Sequence, residues 1–146
     1  MKLEIKIDPG IDETLVKIFA NSVNSEVTLI QSLLESPSLQ RIIGFQNEVV
    51  RILEPREIIR FYTDNKKVYA QTEESTYLVR LRMYDLEERF YSKSFLRISQ
   101  GELVNLDYVK RLDLSYKGTI AVELTNGDIS FVSRRSLSKF KEFLGI

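Results

Sequence analysis

The sequence predicts a mainly β protein with a few short helices, an α+β fold, and three observations carry that expectation. From Leu39 onward, short runs rich in β-branched, aromatic and aliphatic residues recur between turn residues, the pattern of an antiparallel domain. Helical periodicity is confined to three brief stretches. The composition can also build a core, since 43% of the 146 residues are hydrophobic, 8 are Phe and 7 are Tyr, while 29% are charged. That is ordinary globular usage, far from the polar and highly charged regime of disorder.

In chain order, Leu3, Ile5 and Ile7 alternate with Lys2, Glu4 and Lys6, the period of a strand with one wet face. Asp8-Pro9-Gly10 makes a turn. Thr14 to Ala20 is a second strand candidate, with a short helix left open because both of its faces are apolar. Asn24 or Ser25 can cap a helix that places Val27, Ile30, Leu33 and Leu34 on one face before Pro37 ends it. Residues 1–37 therefore read as a small β-β-α appendage, a dimer or partner surface, ahead of a domain at 38–146. In that domain the expected strands are Leu39 to Phe45, Glu48 to Leu53, Ile58 to Thr63, Lys67 to Thr72, Thr76 to Arg82, Leu103 to Asn105, Val109 to Ser115, Thr119 to Thr125 and Ile129 to Val132. Asp64-Asn65 and Asn126-Gly127 are turn dipeptides, the second suited to a type I′ hairpin. Met83 to Phe90 reads as one or two helical turns, and Ser133 to Leu144 as a terminal helix with Gly145 just past its end.

The chemistry available is narrow. The chain has no Cys and no His, which removes disulfides, thiolate metal sites, cysteine nucleophiles and the commonest general base. The adjacent carboxylates Glu73-Glu74 and Glu87-Glu88 point in different directions on a turn or helix and read as solvent-facing. No enzyme activity, no metal and no cofactor is expected. The start alternates charges with aliphatics instead of forming a signal peptide, and no stretch of 18 apolar residues occurs, so a soluble cytoplasmic protein is expected.

Formal net charge is zero, with 21 Lys and Arg against 21 Asp and Glu. Divided between Ile59 and Arg60, the chain resolves into an acidic part, with 6 basic and 9 acidic residues, and a basic part with 15 and 12. The excess positive charge sits on the loop-rich part: Asn65-Lys66-Lys67 at a hairpin, Lys93 and Arg97 before a short strand, and Arg134-Arg135 after the last one. The last pair conflicts with local stability. If Ser133 caps the terminal helix, both arginines occupy its first turn, where the helix dipole and unpaired N–H groups disfavour cations by up to about 1 kcal/mol each. A bound polyanion resolves the conflict, because the helix start binds phosphate and a guanidinium grips phosphate or the guanine edge bidentately.

The stretch from Phe95 to Val109, Phe-Leu-Arg-Ile-Ser-Gln-Gly-Glu-Leu-Val-Asn-Leu-Asp-Tyr-Val, followed by Asn126-Gly127-Asp128 and by Phe131-Val132-Ser133-Arg134-Arg135, resembles the LytTR family of bacterial DNA-binding domains. The resemblance spans about Leu39 to Leu144. It implies an elongated antiparallel β fold that lies along one face of the duplex and inserts loops into successive grooves, with two copies on paired repeats. Carried over by position, Asn65, Lys66 and Lys67 match the first DNA-facing loop, Arg97, Ser99 and Gln100 the second, and Arg134 and Arg135 the third, with Arg135 as the base-reading arginine. Lys93 and Lys139 would join Lys66, Lys67 and Arg97 in neutralising phosphate. Gly101 stands where the family has a Ser, and Glu102 puts a carboxylate near DNA unless it turns away. Asn105 reads as structural, bonding the backbone where a strand ends.

The expected partner is double-stranded DNA, bound as a homodimer. About 38 residues are too few for the receiver domain that many such regulators carry, so the chain resembles the stand-alone members. These are often encoded beside a small membrane protein that restrains them, which adds such a protein to the expected partners. The competing reading is a β-rich interaction module whose basic loops meet an acidic protein.

Overall fold

The computed structural model describes residues 1–35, 41–90 and 94–146; the start of the run at Leu39, and Lys93, lie outside them. By internal packing the chain divides into two compact units, 1–36 and 37–146.

In the first unit the expected helix forms as α1, Ser25–Leu34, with the Asn24 side chain accepting the Val27 N–H at 2.9 Å. The two expected strands do not form: residues 1–24 contain only turns and irregular backbone. The first alternates as a strand does, but a lone two-stranded hairpin is marginal without a third strand or a covering helix, and among the described residues neither has a ladder partner. Asp8 does make the turn, accepting the Gly10 N–H at 2.9 Å.

The second unit holds ten strands: β1 Ile42–Gln46, β2 Val49–Leu53, β3 Ile58–Asp64, β4 Lys67–Thr72, β5 Thr76–Val79, β6 Phe95–Ser99, β7 Glu102–Asn105, β8 Val109–Asp113, β9 Ala121–Leu124 and β10 Ile129–Phe131. Helix α2 is Met83–Arg89 and α3 is Arg134–Leu144. The first seven strands form one antiparallel sheet in the order β2-β1-β5-β4-β3-β7-β6, and the rest a second, β10-β9-β8. This is the mainly antiparallel β fold with short helices that the sequence predicts.

At its β3-β7-β6 end the larger sheet is covered on both faces, as a layered domain requires. On one face Phe61, Phe95 and Leu103 meet Met83, Leu86 and Phe90 of the α2 segment, with Phe61, Phe90 and Phe95 rings 4.8 to 5.8 Å apart. On the other, Ile59, Leu96, Ile98 and Val104 pack with Val122 and Leu124 of β9 and Phe140 of α3. A bulge between Ile58 and Arg60 shifts the register of β3. It lets Ile58 share a core with Phe61, three residues on, while Ile59 packs in the other.

Three features depart from the sequence reading. Strand β6 was not expected, because Phe95, Leu96 and Ile98 are apolar without alternation; they are buried on both faces of the sheet, which erases period two. The Asn126-Gly127 hairpin is not type I′. Only Gly127 is left-handed, at φ +90°, because the Asn126 side chain instead accepts the Asp128 N–H at 3.0 Å and shapes an Asx turn. The turn with both central residues left-handed is at Asn65 and Lys66, at φ +49° and +63°, as type I′ requires.

Removing residues 1–37 is expected to leave the two cores of the second unit folded while changing the association state. Thermal melting and sedimentation of the truncated chain check this; complete unfolding would make the segment part of the core.

Candidate nucleic-acid interface

Register brings the three candidate loops to one end of the larger sheet. Strand β3 pairs with β4 through the Asn65–Lys66 turn and with β7 through Tyr62 opposite Glu102. The Thr63 N–H donates to the Gly101 carbonyl at 2.8 Å, so the Gln100–Gly101 turn lies beside the end of β3. Given strand spacing of about 4.8 Å, the two turns are about 10 Å apart. Beyond β6, the Ser133 N–H donates to the Ile98 carbonyl at 2.8 Å, which fixes the start of α3 next to Ser99. The end thus presents, in order, Asn65–Lys67, Ser99–Gln100 and Ser133–Arg135.

The α3 start is built as the sequence predicts. Ser133 is the N-cap, its hydroxyl accepting the Ser136 N–H, and no acidic residue occupies the first turn. Arg134 and Arg135 are exposed, and among the described residues neither has a carboxylate partner. Two guanidinium groups and the free N–H groups of a helix start therefore face solvent together. Lys66 and Lys67 are likewise exposed and unpaired among the described residues.

Arg97 behaves differently. It is 24% exposed and bound within the fold: Nη1 to Glu87 Oε2 at 2.7 Å, Nε to the Ser99 carbonyl at 3.1 Å, and Nη2 to the Gln100 carbonyl. These bonds tie the second loop to α2 and fix its shape. Lys139, one turn along α3 from Arg135, reaches the same carboxylate at 3.9 Å. Glu87 thus faces two cations at once, one from β6 and one from α3.

Glu102 turns away from the loop end. Its Oε1 accepts from Arg60 Nη1 at 2.7 Å and from the Ser130 hydroxyl, while Arg60 Nε donates to Gln71 Oε1 at 2.6 Å. Gln71 Nε2 in turn donates to Asp128 Oδ2 at 3.0 Å. This polar cluster joins the two sheets and the sequence reading missed it. Its hydrogen-bonded partners are 11 to 70 residues apart along the chain, and each alone resembles an ordinary surface residue. Asn105 has the structural place expected for it: it is 2% exposed, donates to the Ile58 carbonyl at 2.9 Å and accepts the Asp107 N–H at 3.0 Å. Among the described residues no group of three or more carboxylates could hold a metal, and no helix is long and apolar enough to cross a membrane.

Known proteins resemble this chain in sequence and in fold. The family model described as the LytTr DNA-binding domain matches residues 48–145. An uncharacterized HTH-type transcriptional regulator of Staphylococcus aureus strain NCTC 8325 is 31% identical over 147 aligned residues, covering 100% of this chain and 99% of the relative. One from the bovine strain RF122 is 30% identical with the same coverage. A solved LytTr DNA-binding domain from Bacillus cereus superposes with a TM-score of 0.70 at 20% identity, over 73% of this chain and 98% of that one. Among the described residues here, strands separate α1, α2 and α3, so no two of these helices form a helix-turn-helix.

Proposed function

The chain belongs to the LytTR family of DNA-binding domains, and from that premise we propose that it is a sequence-specific transcriptional regulator that reads double-stranded DNA with loops. One observation supports the loop reading most: three chain segments meet at one sheet end, and the last carries two unpaired arginines at a helix start. In this reading Arg135, and Gln100 beside it, meet base edges, while Asn65, Lys66, Lys67, Ser133, Arg134 and Lys139 contact the backbone. Arg97 acts chiefly by holding the second loop in shape. Successive loops enter successive grooves, and a unit of this size makes few base contacts, so two copies occupy paired repeats. The protein works in the cytoplasm, with a small membrane protein as a candidate restraining partner.

Selection of bound sequences from a random DNA pool at low salt tests the proposal and yields the operator. Enrichment of a repeated motif is expected; a pool that stays random, with binding to an acidic protein retained, favours an interaction module instead. Lys67→Ala is expected to lower the slope of log affinity against log salt by about one unit without altering sequence preference, as loss of one phosphate contact does. Titrations at several salt concentrations measure it, and an unchanged slope removes Lys67 from the contact set.

A further inference from the structure

The first unit does not cover its apolar residues by its own packing. Among the described residues, 13 of the 24 large hydrophobic side chains that are exposed fall within residues 1–36, including Leu3, Ile5 and Ile7 at 86, 74 and 84%. Soluble chains seldom leave so much apolar surface to water unless it meets a partner.

The sequence of the uncovered segment indicates which partner. Residues 2–8 read Lys-Leu-Glu-Ile-Lys-Ile-Asp. Laid antiparallel against a second copy and centred on Ile5, every charged position meets its opposite: Lys2 faces Asp8 and Glu4 faces Lys6, each twice by symmetry. On the other face Leu3 meets Ile7, and Ile5 meets Ile5. Opposite charges and aliphatic pairs across antiparallel strands are mutually stabilising, whereas parallel in-register pairing would set each charge against its like. The neighbouring run Thr14 to Ala20 is a poor alternative partner, since Lys17 is its only charge. We propose that residues 2–8 form an intermolecular antiparallel strand pair with a second copy of this chain, a two-fold interface closed about Ile5. The apolar face of that pair needs a cover, and α1 of the same unit has Leu29, Leu33 and Leu34 exposed at 58, 62 and 51% to supply it.

This inference does not depend on the DNA reading, and its test uses the full chain without DNA. Sedimentation equilibrium is expected to show a concentration-dependent dimer. Glu4→Lys faces Lys6 of the second copy with a like charge at two symmetry-related places, and Lys6→Glu does the same to Glu4; each raises the dimer dissociation constant about tenfold. The double variant Glu4→Lys/Lys6→Glu restores wild-type association, and an equimolar mixture of the two single variants forms a heterodimer. A chain that stays monomeric at all concentrations, single variants that dimerise like the wild type, or a double variant no better than either single overturns the proposal. Dimerisation without selection of any DNA sequence would leave this interface standing and remove the regulator reading.

Discussion

Arg135→Ala is expected to weaken binding to the cognate DNA site by about 1 to 3 kcal/mol, with a much smaller loss on unrelated DNA. The arginine stands in the first turn of α3, where no acid balances the helix dipole, so its removal relieves a local conflict while deleting a bidentate donor. Stability should stay level or rise slightly, by a few tenths of a kcal/mol, as binding falls. That opposite movement separates a recognition residue from one that holds the fold together. Parallel titrations on specific and scrambled duplexes measure it, and equal losses on both would make Arg135 a phosphate contact only.

Arg60→Ala is expected to destabilise the second unit by about 2 kcal/mol. Arg60 and Glu102 are 19 and 17% exposed, so removing the cation strands a largely buried carboxylate. Breaking a fully buried pair costs about 3 to 5 kcal/mol, and the residual solvent access reduces that figure. The denaturant midpoint should fall with the slope unchanged. Because Arg60 bridges β3 to Asp128 and to Ser130 of β10, DNA affinity should fall as well, although Arg60 is not among the proposed loop contacts. A midpoint that does not move would mean that the apolar layer alone joins the sheets.

Much of the fold was legible because it rests on local signals. The runs from Ile58 to Thr63 and from Lys67 to Thr72 are rich in β-branched and aromatic residues on either side of a turn, and they form the hairpin of β3 and β4. Ser133 and Gly145 mark the two ends of α3 through their capping chemistry. What sequence reading missed is what depends on the third dimension. Strand β6 lost its alternation to two-sided burial. Residues 2–7 have the alternation of a strand, but among the described residues no strand pairs with them. The engagement of Arg97 with Glu87 joins a strand to a helix 10 residues away, and no spacing rule anticipates it. The pairing of Glu102 with Arg60 spans 42 residues, for the same reason. Of the candidate site, the positions of Arg134 and Arg135 could be argued from the dipole alone, whereas the nearness of the three loops needed the β3–β7 register.

The tight turn at Asn65 and Lys66 has a consequence for how a ligand is met. A left-handed backbone is disfavoured for a lysine by roughly 1 kcal/mol or more, and Gly usually occupies that place. Here the cross-strand ladder from Ile58 to Asp64 holds it, so the conformational entropy of the loop tip is given up when the chain folds. A partner arriving at Lys66 then has only the side chain to order, a loss of at most about 2 kcal/mol, instead of a whole mobile loop. Affinity at that end should consequently be limited by how fast the complex dissociates and not by the search for a competent loop shape.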